Sequence, residues 1–111
     1  MLVVVGLLEL TSLINIMALN SLNTTITASG STAVPDWNGR LGAFLVSGTF
    51  NGATVKLEHQ IGSEWVALGS DTTVTSSGGA QFITPQDQLR VTVSGAGGST
   101  NLTVVVKPLV V

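Results

Sequence analysis

The sequence predicts an all-β fold, an antiparallel β-sandwich of jelly-roll or Ig-like type with about seven or eight short strands. Three observations point there. Apolar and polar residues alternate through residues 22–28, 54–58 and 89–94, with Leu22, Ile26, Val55, Leu57, Leu89, Val91 and Val93 on the apolar side. Gly, Pro and Asn punctuate the chain at short intervals and mark turns. Threonine recurs in the alternating segments, where its branched carbon suits a pleated sheet and its hydroxyl can face water.

Taken in order, Leu22 to Ala28 reads as a half-exposed strand and GSTAVPDWNG, residues 30–39, as a loop. Leu41 to Thr49 is an apolar strand with Gly42 and Gly48 near its ends. Asn51-Gly52 lies between two strand-like runs, which is the signature of a hairpin. In ATVKLEH, Val55 and Leu57 form a core face. Gln60 to Ser63 supplies a reversal, and Trp65 to Leu68 returns as the partner strand. Thr72 to Thr75 is a further short strand ending at the turn Ser76-Ser77-Gly78-Gly79, and Gln81 to Thr84 is another, stopped by Pro85. Leu89 to Ser94 is the clearest alternating segment. GAGGST, residues 95–100, reads as a hairpin loop before the last strand, Leu102 to Lys107.

A chain of 111 residues is one domain in size. Charged residues are 9%, far below the typical value of about 25%, so the exposed polar groups are mostly Ser, Thr, Asn, Gln and Gly. Such a surface suits a protein held against neighbours in an assembly. Four basic and six acidic residues give a net charge of −2, and Arg40, Lys56, Arg90 and Lys107 form no basic run, which argues against nucleic acid as a partner. The absence of cysteine removes disulfides, thiolate metal sites and thiol nucleophiles.

Residues 1–21 are an apolar N-terminal arm preceding a β-sandwich domain at 22–111. A signal peptide would begin with a positive segment, yet no Lys or Arg precedes Arg40 and Glu9 interrupts the apolar run. A transmembrane helix would have to bury Glu9, Thr11, Ser12 and Asn15. The favoured reading is an arm that packs on the domain or on a neighbouring subunit. Leu7, Leu10, Leu13, Ile14 and Met17 have approximate helical spacing and are candidate interface residues.

Glu58, His59, Ser63, Glu64 and Asp71 are the residue types of hydrolytic sites, but strand alternation sends Glu58 and His59 to opposite faces. No nucleophile motif surrounds any serine, so no catalytic residue is assigned. One histidine and six acids without calcium-loop spacing give no metal site and imply no cofactor. GAGGST lacks the Lys-Ser/Thr ending of a phosphate-binding loop. Trp37, within Pro-Asp-Trp-Asn-Gly, is the best candidate for an exposed aromatic contact and would serve a carbohydrate-binding module. Phe44, Phe50, Phe82 and Trp65 are expected in the core or between subunits. Ile61, at the tip of a turn, is a further candidate interface residue.

The run GTFNGATVKLEHQIGSEWVALGS and the later FITPQDQLRVTVSGAGGSTNLTVVVKP, together covering most of residues 48–108, resemble small β-rich structural proteins of tailed bacteriophages, and head decoration (cement) proteins most of all. The resemblance implies a non-enzymatic virion protein on the capsid surface that binds the major capsid protein, bridges capsomers and assembles as a homotrimer. Fibre and tail-adaptor modules share the same texture. Ile61-Gly62-Ser63 departs from the more familiar Asp-Gly-Ser wording of the turn and leaves Ile61 in want of a partner.

Overall fold

The computed structural model describes residues 21–35, 37, 39–85 and 88–109. Leu7, Leu10, Leu13, Ile14 and Met17 therefore lie outside the described residues. Nine strands run along the rest: β1 (Leu22–Ile26), β2 (Gly30–Val34), β3 (Leu41–Thr49), β4 (Thr54–Ile61), β5 (Glu64–Ala67), β6 (Thr73–Val74), β7 (Gly78–Ile83), β8 (Leu89–Ser94) and β9 (Asn101–Pro108). A 3-10 turn, Ser70–Thr72, separates β5 from β6.

The strands make two antiparallel sheets, one of order β1-β9-β3-β7 and one of order β2-β8-β4-β5 with β6 also beside β4. Alternation dictates the packing. Phe44, Val46, Leu102, Val104 and Val106 project from the first sheet, and Val55, Leu57, Leu89, Val91 and Val93 from the second, into one dry core.

The strand order separates the two sandwich types. An Ig-like sandwich would pair its first two strands within one sheet. Here β1, β2, β3 and β4 alternate between sheets, and β1 sits beside β9 while β2 sits beside β8. That is the double Greek-key arrangement of a jelly roll.

Four local expectations are corrected. Asn51 and Gly52 do take positive φ (47° and 91°), and the Ala53 N–H donates to the Phe50 carbonyl at 3.0 Å. The flanking strands nevertheless belong to different sheets. Phe44 and Val46 on β3 and Val55 and Leu57 on β4 make apolar faces, and those faces oppose each other across the core rather than stand side by side. GAGGST likewise joins β8 in one sheet to β9 in the other, so it is a sheet crossing and not a hairpin loop. Residues 30–34, expected in a loop, form β2, because β8 offers an edge on which Val34 pairs with Leu89 and becomes buried. Gly78 and Gly79, expected in a turn, belong to β7. A side chain at Gly79 would collide with Leu45, which lies over it from β3.

Trp37 is also corrected, since it is 5% exposed and belongs to the core. Its ring lies 5.2 Å from Phe82 in a tilted pair, and its Nε1–H donates to the Thr84 hydroxyl at 2.8 Å. The loop carries the indole inward because the space above Gly42 is empty of side chain: a Cβ there would lie 2.6 Å from both Phe82 Cζ and Trp37 Cη2. A buried indole needs an acceptor, and Thr84 supplies it.

Replacing Trp37 by Phe removes the donor and strands the Thr84 hydroxyl in a buried place, so urea titration should show a loss of about 1–3 kcal/mol. Gly42→Ala should lower the urea midpoint clearly. Gly98→Ala, where no atom lies within 4 Å of the added carbon, should leave it close to wild type.

Candidate functional site: the β4–β5 hairpin

Among the described residues, the hairpin is the one connection in which consecutive strands pair directly, with a two-residue turn, Gly62-Ser63, between the partners Ile61 and Glu64. Gly62 takes φ 62°, the left-handed region in which glycine carries no steric penalty. The Leu68 N–H donates to the Leu57 carbonyl at 3.1 Å and the Gln60 N–H to the Gln88 carbonyl at 3.1 Å, which extend the ladders on both sides of β4.

The two faces of this hairpin differ in kind. On the outer face, Arg90 Nε donates to Glu58 Oε1 at 2.8 Å, and the Thr92 hydroxyl donates to the same oxygen at 2.5 Å. Ser31 Oγ lies 3.0 Å from Thr92 Oγ1. Since the single Thr92 proton is committed to Glu58, Ser31 is the donor of that pair. The Arg90 guanidinium then reaches across β4 and sits 4.4 Å above the Trp65 ring. Glu58 faces Ala67 in register, and this small residue leaves room for the crossing. One continuous polar chain thus runs from β2 through β8 and β4 to β5.

Burial of Glu58 raises its pKa, but the hydrogen bonds from Thr92 and Arg90 and the charges of Arg90 and Lys56 outweigh it, so the carboxyl is held below its ordinary range.

The opposite face continues the core side of the sheet outward. Leu57 is buried and Leu68 packs against the core, followed by His59 and its partner Val66, then Ile61 and its partner Glu64. Exposure rises along this row until Val66 is 38% and Ile61 56% exposed. Ile61 is therefore a core-facing residue of a strand that outruns the cover of the opposite sheet.

Glu58 and His59 indeed lie on opposite faces, and Glu58 Oε1 accepts hydrogen bonds from both Arg90 and Thr92. Asp71 sits in the 3-10 turn between β5 and β6. Among the described residues, no group of three or more His, Asp or Glu side chains gathers as metal ligands would. Trp37 is unavailable to a sugar ring, and Trp65 has one face occupied by Arg90. The bracing network around Trp65 and Arg90 escaped sequence reasoning. Its signal was the register that sets Arg90 opposite Glu58, which requires knowing that β8 pairs with β4.

Comparison with known protein families, with curated proteins and with solved structures finds no match to this chain.

As pH falls, the unfolded chain takes up a proton on this carboxyl first, so Glu58 contributes stability above its unfolded pKa of about 4.3 that is lost as pH drops through the lower folded value. The gap in urea midpoint between wild type and Glu58→Gln should be full at pH 7 and close progressively below about pH 4.

Proposed function

We propose that this chain is a non-enzymatic virion structural protein, a head decoration subunit that binds the outside of an assembled capsid as a homotrimer and bridges neighbouring capsomers. The observation that carries the reading is the β4–β5 hairpin, which offers Ile61 and Val66 to a partner while a charged network braces its back. Jelly rolls serve viral capsid and lectin domains, among others. A fold alone does not name a function, and the resemblance of residues 48–108 to phage decoration proteins supplies the narrower choice.

The physics of such a role is mass action. A ligand that engages only the assembled shell stabilises that shell at each site by RT ln(1 + c/Kd), where c is the free ligand concentration. A contact built on Ile61 and Val66 gains from apolar burial rather than from ion pairing, since the hairpin tip carries Glu64 as its only charge.

Co-sedimentation of the full chain with emptied heads of the phage that encodes it tests the reading. Binding to assembled heads, with little loss between low and high salt, is expected. Ile61→Asp should weaken it by about tenfold or more, equivalent to at least ~1.4 kcal/mol. A chain that is monomeric by light scattering and fails to sediment with heads would overturn the proposal.

A further inference from the structure

The outer face of the first sheet carries an apolar patch that the hairpin reading does not use. Leu41, Leu45, Ile83 and Val105 all point away from the core, with Leu45 40% and Ile83 77% exposed. They are neighbours by register: Leu41 pairs with Ile83, and Leu45 with both Gly79 and Val105. Leu109 extends the patch, its N–H donating to the Leu41 carbonyl at 3.0 Å. Ala43 lies between the two rows, flanked by Gln81 and Lys107. Lys107 is the single charged side chain among the strand residues of this face.

The chain enters the same sheet beside this patch. β1 is an edge strand, and its first residue, Leu22, pairs with Val106. Val106 is in register with Phe44, and Phe44 with Ala80. The next rows outward, in the direction from which the chain arrives, contain Lys107, Ala43 and Gln81, and after Pro108, Gly42 and Phe82, the Leu41–Ile83 pair. Residues 1–20 thus join the fold at the level of the apolar rows. Crossing from β1 to β7 spans three strand spacings, about 15 Å, which about five extended residues cover.

The composition of that segment matches the patch. Residues 2–19 are mostly Leu, Val, Ile, Met and Ala, with Glu9 as their one charge. One acid in the segment answers one base, Lys107, on the face. We infer that the segment 2–19 of the same chain lies back across the outer face of the first sheet and covers Leu41, Leu45, Ile83 and Val105. The inference does not depend on the capsid reading, and head binding is measured separately from it.

The chain contains no cysteine, so Ser12→Cys gives a single attachment point for a nitroxide label on the full-length protein. With the label on the ¹⁵N-enriched chain itself, diluted into unlabelled protein of ordinary isotopic content, the amide signals of Leu41, Leu45, Gln81, Ile83 and Val105 should lose intensity. Those of Arg90, Thr92 and Lys56 on the far sheet should keep it. Leu45→Glu with Ile83→Glu should abolish the loss while Phe44 and Val104 retain their folded shifts. Intensity loss on the far sheet, or none beyond β1, would overturn the inference. Loss seen only when the nitroxide sits on a different molecule from the ¹⁵N label would also overturn it and assign the face to a second copy.

Discussion

One buried hydrogen bond holds the two halves of this sandwich in register. The Thr100 hydroxyl donates to the Phe50 carbonyl at 2.8 Å, and the same oxygen accepts the Gly97 N–H at 2.9 Å. Phe50 belongs to the crossing from β3 to β4, and Thr100 to the crossing from β8 to β9. Each crossing carries the chain from one sheet to the other, so tying them together fixes the separation and offset of the sheets at that end. The glycines follow from this closeness. Gly97 packs on Asn51 where a side chain would collide, and Gly95 and Gly52 approach so nearly that a Cβ on Gly95 would lie 3.0 Å from the Gly52 carbonyl oxygen. A glycine-rich loop that resembles a phosphate cradle is here the socket for a neighbouring turn.

The same constraint explains what could and could not be read from the chain. Alternation identifies a core face wherever large apolar residues recur, which is why the β3, β4, β8 and β9 segments were legible. It carries no information on which strand lies beside which. Asn51-Gly52 specifies a tight reversal, but the reversal is compatible with two strands in one sheet or in two. Only the demand that Phe44 and Val46 face Val55 and Leu57 selects the second. β2 was illegible because Gly30 and Ala33 have little strand preference of their own and Pro35 follows directly, and pairing with β8 imposes the strand. Trp37 misled for a related reason. A Trp among Pro, Asp, Asn and Gly reads as exposed, and nothing local announces that Gly42 and Thr84 provide a space and an acceptor for its ring.

The hairpin combines these effects. Its polar residues looked like parts of a catalytic set, yet the geometry divides them. Glu58 is drawn into a chain with Arg90, Thr92 and Ser31 that crosses three strands, and Trp65 is fixed beneath the guanidinium. In a protein with only ten charged residues, two are spent on stiffening this one sheet. The result is that Ile61 and Val66 are presented from a strand pair whose other face is restrained, so under the proposed role the contact surface would be largely preformed and would order little on binding.

Economy of charge creates a difficulty that the fold answers by shape. The edge strands β1, β2 and β7 contain no charged residue, although Lys on an edge is a common defence against pairing with another chain. Their protection is brevity, at five, five and six residues, together with the prolines that follow two of them. Pro35 comes directly after β2, and Pro85 stands two residues beyond β7. The remaining edge, beside β4, is divided between β5 and β6 by the 3-10 turn at Ser70–Thr72, so it never presents a long straight ladder. Thr72 and Thr73 both donate to the Gly69 carbonyl there, using hydroxyls to secure the break. Among the described residues, the large apolar side chains that stay exposed, Leu45, Ile61, Val66 and Ile83, lie on the β4–β5 hairpin and on the outer face of the first sheet.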